Sequence, residues 1–172
     1  MRHDYKRIAI VGCPGSGKST LARQLADITA LPVIHLDMEF WRPGWEMTPR
    51  DEWIDKQTEL IAQEKWIIDG NYGGTMEIRF ASADVVIFLD IGRLTCLYRA
   101  AKRKGKRPDF PDFLEEKFDK DFFELCKFIW NYRKAARNGV FELHKKYRDK
   151  PFIVIRNKRE LKQMLEEFGE QP

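Results

Sequence analysis

The sequence predicts an α/β fold, a three-layer α/β/α sandwich around a five-stranded parallel sheet. Three observations point there. Short apolar runs alternate with longer amphipathic stretches. The runs are continuous rather than alternating, as strands covered on both faces require. A chain of 172 residues is the length of one domain with a real core. Residues 7–11 (RIAIV) read as the first strand, ending at Gly12. Residues 18–29 read as a helix with Leu21, Leu25 and Ile28 on one face, broken by Leu31-Pro32. Residues 33–36 (VIHL), 66–68 (WII), 85–89 (VVIFL) and 152–155 (FIVI) supply four more strands. Asn157 caps a last helix, with Glu160 three residues on.

Two stretches fall outside this alternation. Residues 38–64 begin MEFWRPGWEM, after which Thr48 suits an N-cap, Pro49 the first turn and Asp51 the third position of a helix. Residues 94–150 read as mostly helical, with Phe118, Phe122, Leu125 and Ile129 facing inward. Within them, 103–113 (RKGKRPDFPDF) read as a loop. Both stretches look like insertions over one face of a single domain spanning 1–172.

Composition narrows the function classes. Of the residues, 43% are hydrophobic and 34% charged, which excludes a disordered chain and implies a heavily charged surface. No window is apolar enough for a membrane span, and the N-terminal apolar run is too short for a secretion signal. Cys13, Cys96 and Cys126 form neither a CxxC pair nor an even framework, which fits a reducing cytoplasm and argues against zinc or disulfides. Residues 97–150 hold 16 Lys and Arg against 9 Asp and Glu, while the rest hold 15 against 18. The positive charge is therefore concentrated in one segment, where an anionic partner is expected.

The strongest chemical signal is GCPGSGKST: Gly12, Cys13, Pro14, Gly15, Ser16, Gly17, Lys18, Ser19 and Thr20. It matches G-x-x-x-x-G-K-[ST] between a strand and a helix. Glycines let the backbone turn its N–H groups inward as an anion nest, and the helix N-terminus adds positive potential. Lys18 is expected on the β- and γ-phosphates of a nucleotide, and Ser19 on Mg²⁺. Three aspartates follow predicted strands: Asp37, Asp69 and Asp90. Each is a candidate for the carboxylate that supports the metal, and each is also open to a helix-capping role, which suits Asp90 best.

Four segments carry a resemblance: the P-loop GCPGSGKST, HLDMEFW at 35–41, WIIDGNYGG at 66–74 and FLDIGR at 88–93. With RPGW at 42–45, they are similar to bacterial adenylate-kinase-like proteins, the P-loop family known as DNA topology modulation proteins. The resemblance implies the nucleoside/shikimate kinase type of P-loop fold, with strand order 2-3-1-4-5. It implies a core of 1–37, 65–103 and 138–172, an acceptor-binding insert at 38–64 and a helical lid at about 104–137. ATP and Mg²⁺ are the implied cofactors, and Asp69, in an Asp-Gly pair, the implied metal-side carboxylate. Arg99 and Arg103 match an R-x-x-x-R helix that approaches the adenine and phosphates. Arg133 and Arg137 share that spacing and are expected over the γ-phosphate. Arg156 and Asn157, after the last strand, fall where relatives hold the adenine ring.

The acceptor stays open between two classes. A nucleoside monophosphate needs arginine clamps, for which Arg42, Arg50 and Arg79 are candidates. A hydroxyl acceptor benefits from a carboxylate near the attacking oxygen, for which Asp37, with Glu39, is the candidate. Trp41 and Trp45 are expected to stack on a base or sugar, whereas Trp53 packs inward. The expected partners are a nucleotide and a small acceptor, with no membrane, in a monomer or weak dimer. An alternative is an ATP-binding regulator that touches DNA through RAAKRKGKR at 99–107. His35 reads as a packed or hydrogen-bonded core residue.

Overall fold

A computed structural model describes residues 5–44, 46–103 and 120–170. Phe118, Trp45 and the predicted loop and lid residues 104–119 lie outside the described residues. The central sheet contains β1 (Arg7–Gly12), β2 (Val33–His35), β5 (Trp66–Asp69), β6 (Val85–Leu89) and β7 (Phe152–Ile155). All four pairings are parallel, in the order β2-β5-β1-β6-β7. A separate antiparallel pair, β3 (Trp41–Arg42) and β4 (Glu46–Met47), shifts the numbering. Counted within the central sheet alone, the order is 2-3-1-4-5.

The strands alternate between two hydrophobic layers, and only their ends carry polar residues: Arg7, His35 and Asp69. Ile8, Ile10, Ile67, Val85, Ile87 and Leu89 pack on α1 (Lys18–Thr29) and α8 (Lys158–Gly169) through Leu21, Leu25, Met164 and Phe168. Ala9, Val11, Ile68, Val86 and Phe88 face the other way. There they meet α3 (Arg50–Ile61), α4 (Met76–Ser82), α5 (Arg93–Lys102), α6 (Lys120–Tyr132) and α7 (Asn138–Lys146), through Trp53, Phe80, Ala100, Ile129 and Val140. This is why the runs read as continuous: each strand is buried from both sides. Among the described residues, no helix is long and apolar enough to cross a membrane.

Local departures from the sequence reading have physical causes. β2 ends at His35, and Leu36 already belongs to a short helix, α2 (Leu36–Phe40). Thr48 does not cap α3. Its hydroxyl donates to the Phe40 carbonyl at 2.6 Å and its N–H to the same oxygen at 3.1 Å, closing the β3–β4 hairpin. Pro49 then takes the N-cap position, with Asp51 and Glu52 in the first turn. Ile28 lies toward the rim of α1, 39% exposed, while Leu21 and Leu25 are buried. Between α6 and α7 the helix loosens into a π turn over Arg133–Arg137, a distortion often found at functional positions. Asn157 does cap α8, its side chain accepting from the N–H groups of Arg159 and Glu160 at 3.0 Å each.

Candidate active site

The site forms where β1 and β5 pair, because Ile10 and Asp69 are register partners and both strands end on the same edge. From β1 the chain enters the P-loop. Gly15 has φ +77°, and a Cβ there would collide with the Cys96 carbonyl oxygen of α5. Only glycine allows so close an approach. Cys13 also packs against α5, where its buried thiol neighbours that of Cys96. Arg99 of α5 donates to the Ser16 carbonyl at 2.9 Å. Three contacts thus brace the loop against α5. Gly17 precedes α1 without any side-chain cap, and no acidic residue occupies the helix's first turn. The first-turn amides and the helix dipole are left for an anion.

The Lys18 ammonium donates to the carbonyls of Gly12 at 3.0 Å and Cys13 at 3.3 Å, which holds it at the mouth of the loop. Burial pulls its pKa below the usual lysine value, and the nearby Arg103 charge pulls the same way; Asp37 and Asp69 oppose them. A partly desolvated ammonium of this kind gains most from a phosphate. Arg103 is half-buried. Pro14 is half-buried and Thr20 exposed at the edge of the loop.

Asp69 is buried at the end of β5. Ser19 Oγ donates to its Oδ2 at 2.8 Å, and His35 Nδ1 meets its Oδ1. His35, read from sequence as a core residue, therefore orients this carboxylate. An alcohol oxygen and a carboxylate side by side at the loop are hard oxygen donors of the kind Mg²⁺ takes, with its shell completed by phosphate and water. The residues present fit that ion.

Asp90 does not cap α5, whose N-cap is Gly92. It accepts a bidentate pair from Arg137, Nε to Oδ1 at 2.9 Å and Nη2 to Oδ2 at 2.8 Å. Of the pair expected over the γ-phosphate, Arg137 is thus tied to the end of β6 and Arg133 is exposed. Arg137 also lines a cleft of about 440 Å³ with Asn138, Phe141, Glu142, Lys145 and Arg156. Arg156 is exposed there, while the Asn157 side chain is committed to capping α8.

On the acceptor side, Asp37 stands in the first turn of α2 and accepts the Tyr72 hydroxyl at 2.9 Å. Phe40, Trp53 and Tyr72 form an aromatic cluster with ring centroids 4.7–5.1 Å apart, and Trp41 lies edge-on to Phe40 at 5.0 Å. The predicted arginine clamps are placed elsewhere. Arg42 forms an exposed ion pair with Glu52, and Arg50 is exposed. Arg79 is fully buried, so it meets no acceptor. Its guanidinium donates to Gln57 Oε1 and to the carbonyls of Gly70 and Asn71. Glu39 pairs with Lys56 of α3 at 2.7 Å, which leaves Asp37 as the carboxylate of this region.

Tyr72, Gln57, Thr75 and Tyr132 carry no signal of their own in the sequence. The DGNYGG segment drew attention through its Asp-Gly pair, yet Tyr72 is the unusual residue. It sits at φ +35°, in the left-handed region, which for a bulky side chain costs on the order of 1–3 kcal/mol. Burial and Asp37 push the Tyr72 phenol above its ordinary pKa; burial does the same to Tyr132. An acid whose pKa is raised by folding adds stability that is intact below the unfolded value, near 10. That stability is lost as pH climbs from there toward the folded value. Tyrosinate absorbance during an alkaline titration is expected to rise late for these two phenols, together with unfolding. Tyr72→Phe and Tyr132→Phe should each flatten the alkaline loss of stability. A full five-tyrosine titration near pH 10 in folded protein would contradict the burial.

The parallel sheet, the glycine loop into α1 and the aspartate at the end of the adjacent strand define the P-loop kinase fold. No family model matches the chain. It is similar to a cytidylate kinase of Pyrobaculum aerophilum, 29% identical over 140 residues, or 73% of this chain and 74% of the relative. Among solved structures it is similar to the shikimate kinase of Acinetobacter baumannii in complex with shikimate, with a TM-score of 0.60 and 14% identity over 94% of this chain and 89% of that one. The shikimate kinase of Bacteroides thetaiotaomicron gives 0.59 and 16%, over 96% and 97%. A gluconokinase from Sinorhizobium meliloti gives 0.54 and 15%, over 97% and 91%.

Proposed function

We propose that the protein is an ATP-dependent kinase that passes the γ-phosphate to a small hydroxyl-bearing acceptor. The observation that carries this is the convergence of Lys18, Ser19 and Asp69 at the amide-rich head of α1. Lys18 and the loop amides bind the β- and γ-phosphates and offset the charge that builds between them. Ser19 and Asp69 would hold Mg²⁺, which screens phosphate charge when bound. Arg99 fixes the loop from α5, and Arg103 adds positive charge beside Lys18.

The hydroxyl acceptor follows from the other side of the site. Asp37 is close enough for its charge to bear on Lys18, and Tyr72 orients it. Asp37 would take the proton from an attacking hydroxyl. A nucleoside monophosphate would want several arginine clamps; of the three candidates Arg42 and Arg79 are committed to other partners, which leaves the exposed Arg50. The similarity to a cytidylate kinase favours the nucleotide as a second reading.

An ADP-release assay separates them. Sugar acids and hydroxy acids, nucleosides, and the monophosphates CMP, UMP and AMP are each offered with Mg·ATP. At least one hydroxyl acceptor is expected to raise turnover about tenfold or more over the water background, a gain of ~1.4 kcal/mol in barrier. Turnover with monophosphates alone would move the acceptor to the second class. No acceleration by any compound would overturn the kinase reading.

A further inference from the structure

We infer that Arg79 is a positioning residue that sets the metal-side carboxylate Asp69 by clamping the backbone that follows it; the inference rests on the reading of Asp69 just given. Arg79 belongs to α4, away from the P-loop and the hairpin, and is fully buried. Its Nη2 donates to the Asn71 carbonyl at 2.7 Å and the Gly70 carbonyl at 3.4 Å, and its Nη1 to Gln57 Oε1. Its Nε has no hydrogen-bond partner among the described residues. Among the described residues no carboxylate pairs with this guanidinium, and burial pushes its pKa down to about 10, with Tyr72 and Asp69 pulling the other way. It stays charged at neutral pH, and the planar fork spans two segments that a point charge could not hold together.

The clamped backbone is a junction. The Thr75 hydroxyl accepts from Gln57 Nε2 and donates to the Tyr72 carbonyl at 3.3 Å, so three successive carbonyls, those of Gly70, Asn71 and Tyr72, are held by Arg79 and Thr75. Gly70 meanwhile donates its N–H to Ile10 of β1 at 3.1 Å. Asp69 enters this segment with its side chain on Ser19 and His35. Asn71 accepts the Tyr132 hydroxyl from α6 at 3.3 Å, and Tyr72 holds Asp37. Nucleotide side, acceptor side and α6 therefore hang on four residues, and Gln57 ties them to α3 of the insert. Groups that orient a metal-binding carboxylate from behind typically change metal affinity by about 10–100-fold when removed.

The test is calorimetric and needs no acceptor. ADP is titrated into the protein with Mg²⁺ and, separately, with EDTA, and the ratio of the two affinities is the magnesium-assisted tightening. In Arg79→Met that ratio is expected to fall about tenfold or more, while the EDTA affinity stays near wild type because the P-loop is untouched. Arg79→Lys should recover part of the ratio. A residue that merely stabilises the fold would lower the melting temperature and leave the ratio unchanged. A folded Arg79→Met with the wild-type ratio overturns the inference and leaves the kinase reading intact. A wild-type protein that binds ADP without any magnesium-assisted tightening removes the reading of Asp69, and the inference with it. Should Arg79→Met not fold, Arg79→Lys decides: one ammonium cannot grip both carbonyls and Gln57, so a smaller loss of the ratio is expected, and its full retention overturns the proposal.

Discussion

Lys18→Ala is expected to lower phosphoryl transfer by about 10²–10³-fold, the loss typical of removing one preorganised donor from developing negative charge. The fold should survive. Among the described residues, the ammonium donates to two P-loop carbonyls, those of Gly12 and Cys13. Burial already disfavours its charged form, so alanine relieves a desolvation cost while giving up the hydrogen bonds to the Gly12 and Cys13 carbonyls. These effects oppose each other, and a melting temperature within a few degrees of wild type follows. Turnover and thermal unfolding measured on the same preparation check both halves. An unfolded variant would mean that the side chain supports the core instead of facing ligand.

Gly15→Ala should be the most damaging single methyl in the molecule. At φ +77° any side chain is strained, by about 1–2 kcal/mol. The new Cβ would also press on the Cys96 carbonyl, with the carbonyl carbon at 3.0 Å and Cα at 3.2 Å. Those atoms belong to the helical backbone of α5 and cannot rotate away. Relief requires the loop to lift off α5, which breaks the Arg99–Ser16 contact and turns the nest amides out of line. A loss of about 2–4 kcal/mol, or roughly 5–15 °C for a chain of this size, is expected with at least a tenfold loss of nucleotide affinity. Gly73→Ala is the control, because nothing lies within 4 Å of its Cβ position. Equal melting temperatures for the two variants would contradict the packing of the loop on α5.

The same contrast explains what the sequence made legible. The strands and the P-loop are local patterns: a run of apolar residues, then glycines and a lysine at fixed spacing, carry their meaning within a few positions. Asp69 was one of three strand-end aspartates in the sequence; the family resemblance singled it out, and the structure sets it against Ser19. The partners were not legible. Asp90 meets Arg137 across 47 residues, Asp37 meets Tyr72 across 35, and Arg79 meets Gln57 across 22. Which arginine faces an anion and which is buried under a loop is decided by the order in which strands and helices stack. Arg42, Arg79 and Glu39 had suitable chemistry for the acceptor and lost it to neighbours that spacing does not reveal. Thr48 fits an N-cap by composition, yet the hairpin two strands long claims its hydroxyl.

On the reading proposed above, the head of α1 holds the phosphate tail of a nucleotide with magnesium. Isothermal titration of the folded wild-type protein with a non-hydrolysable ATP analogue and Mg²⁺ tests it most directly. One-to-one binding in the micromolar range is expected, weakened tenfold or more by Lys18→Ala. A folded protein that takes up no nucleotide, with or without the metal, would contradict it.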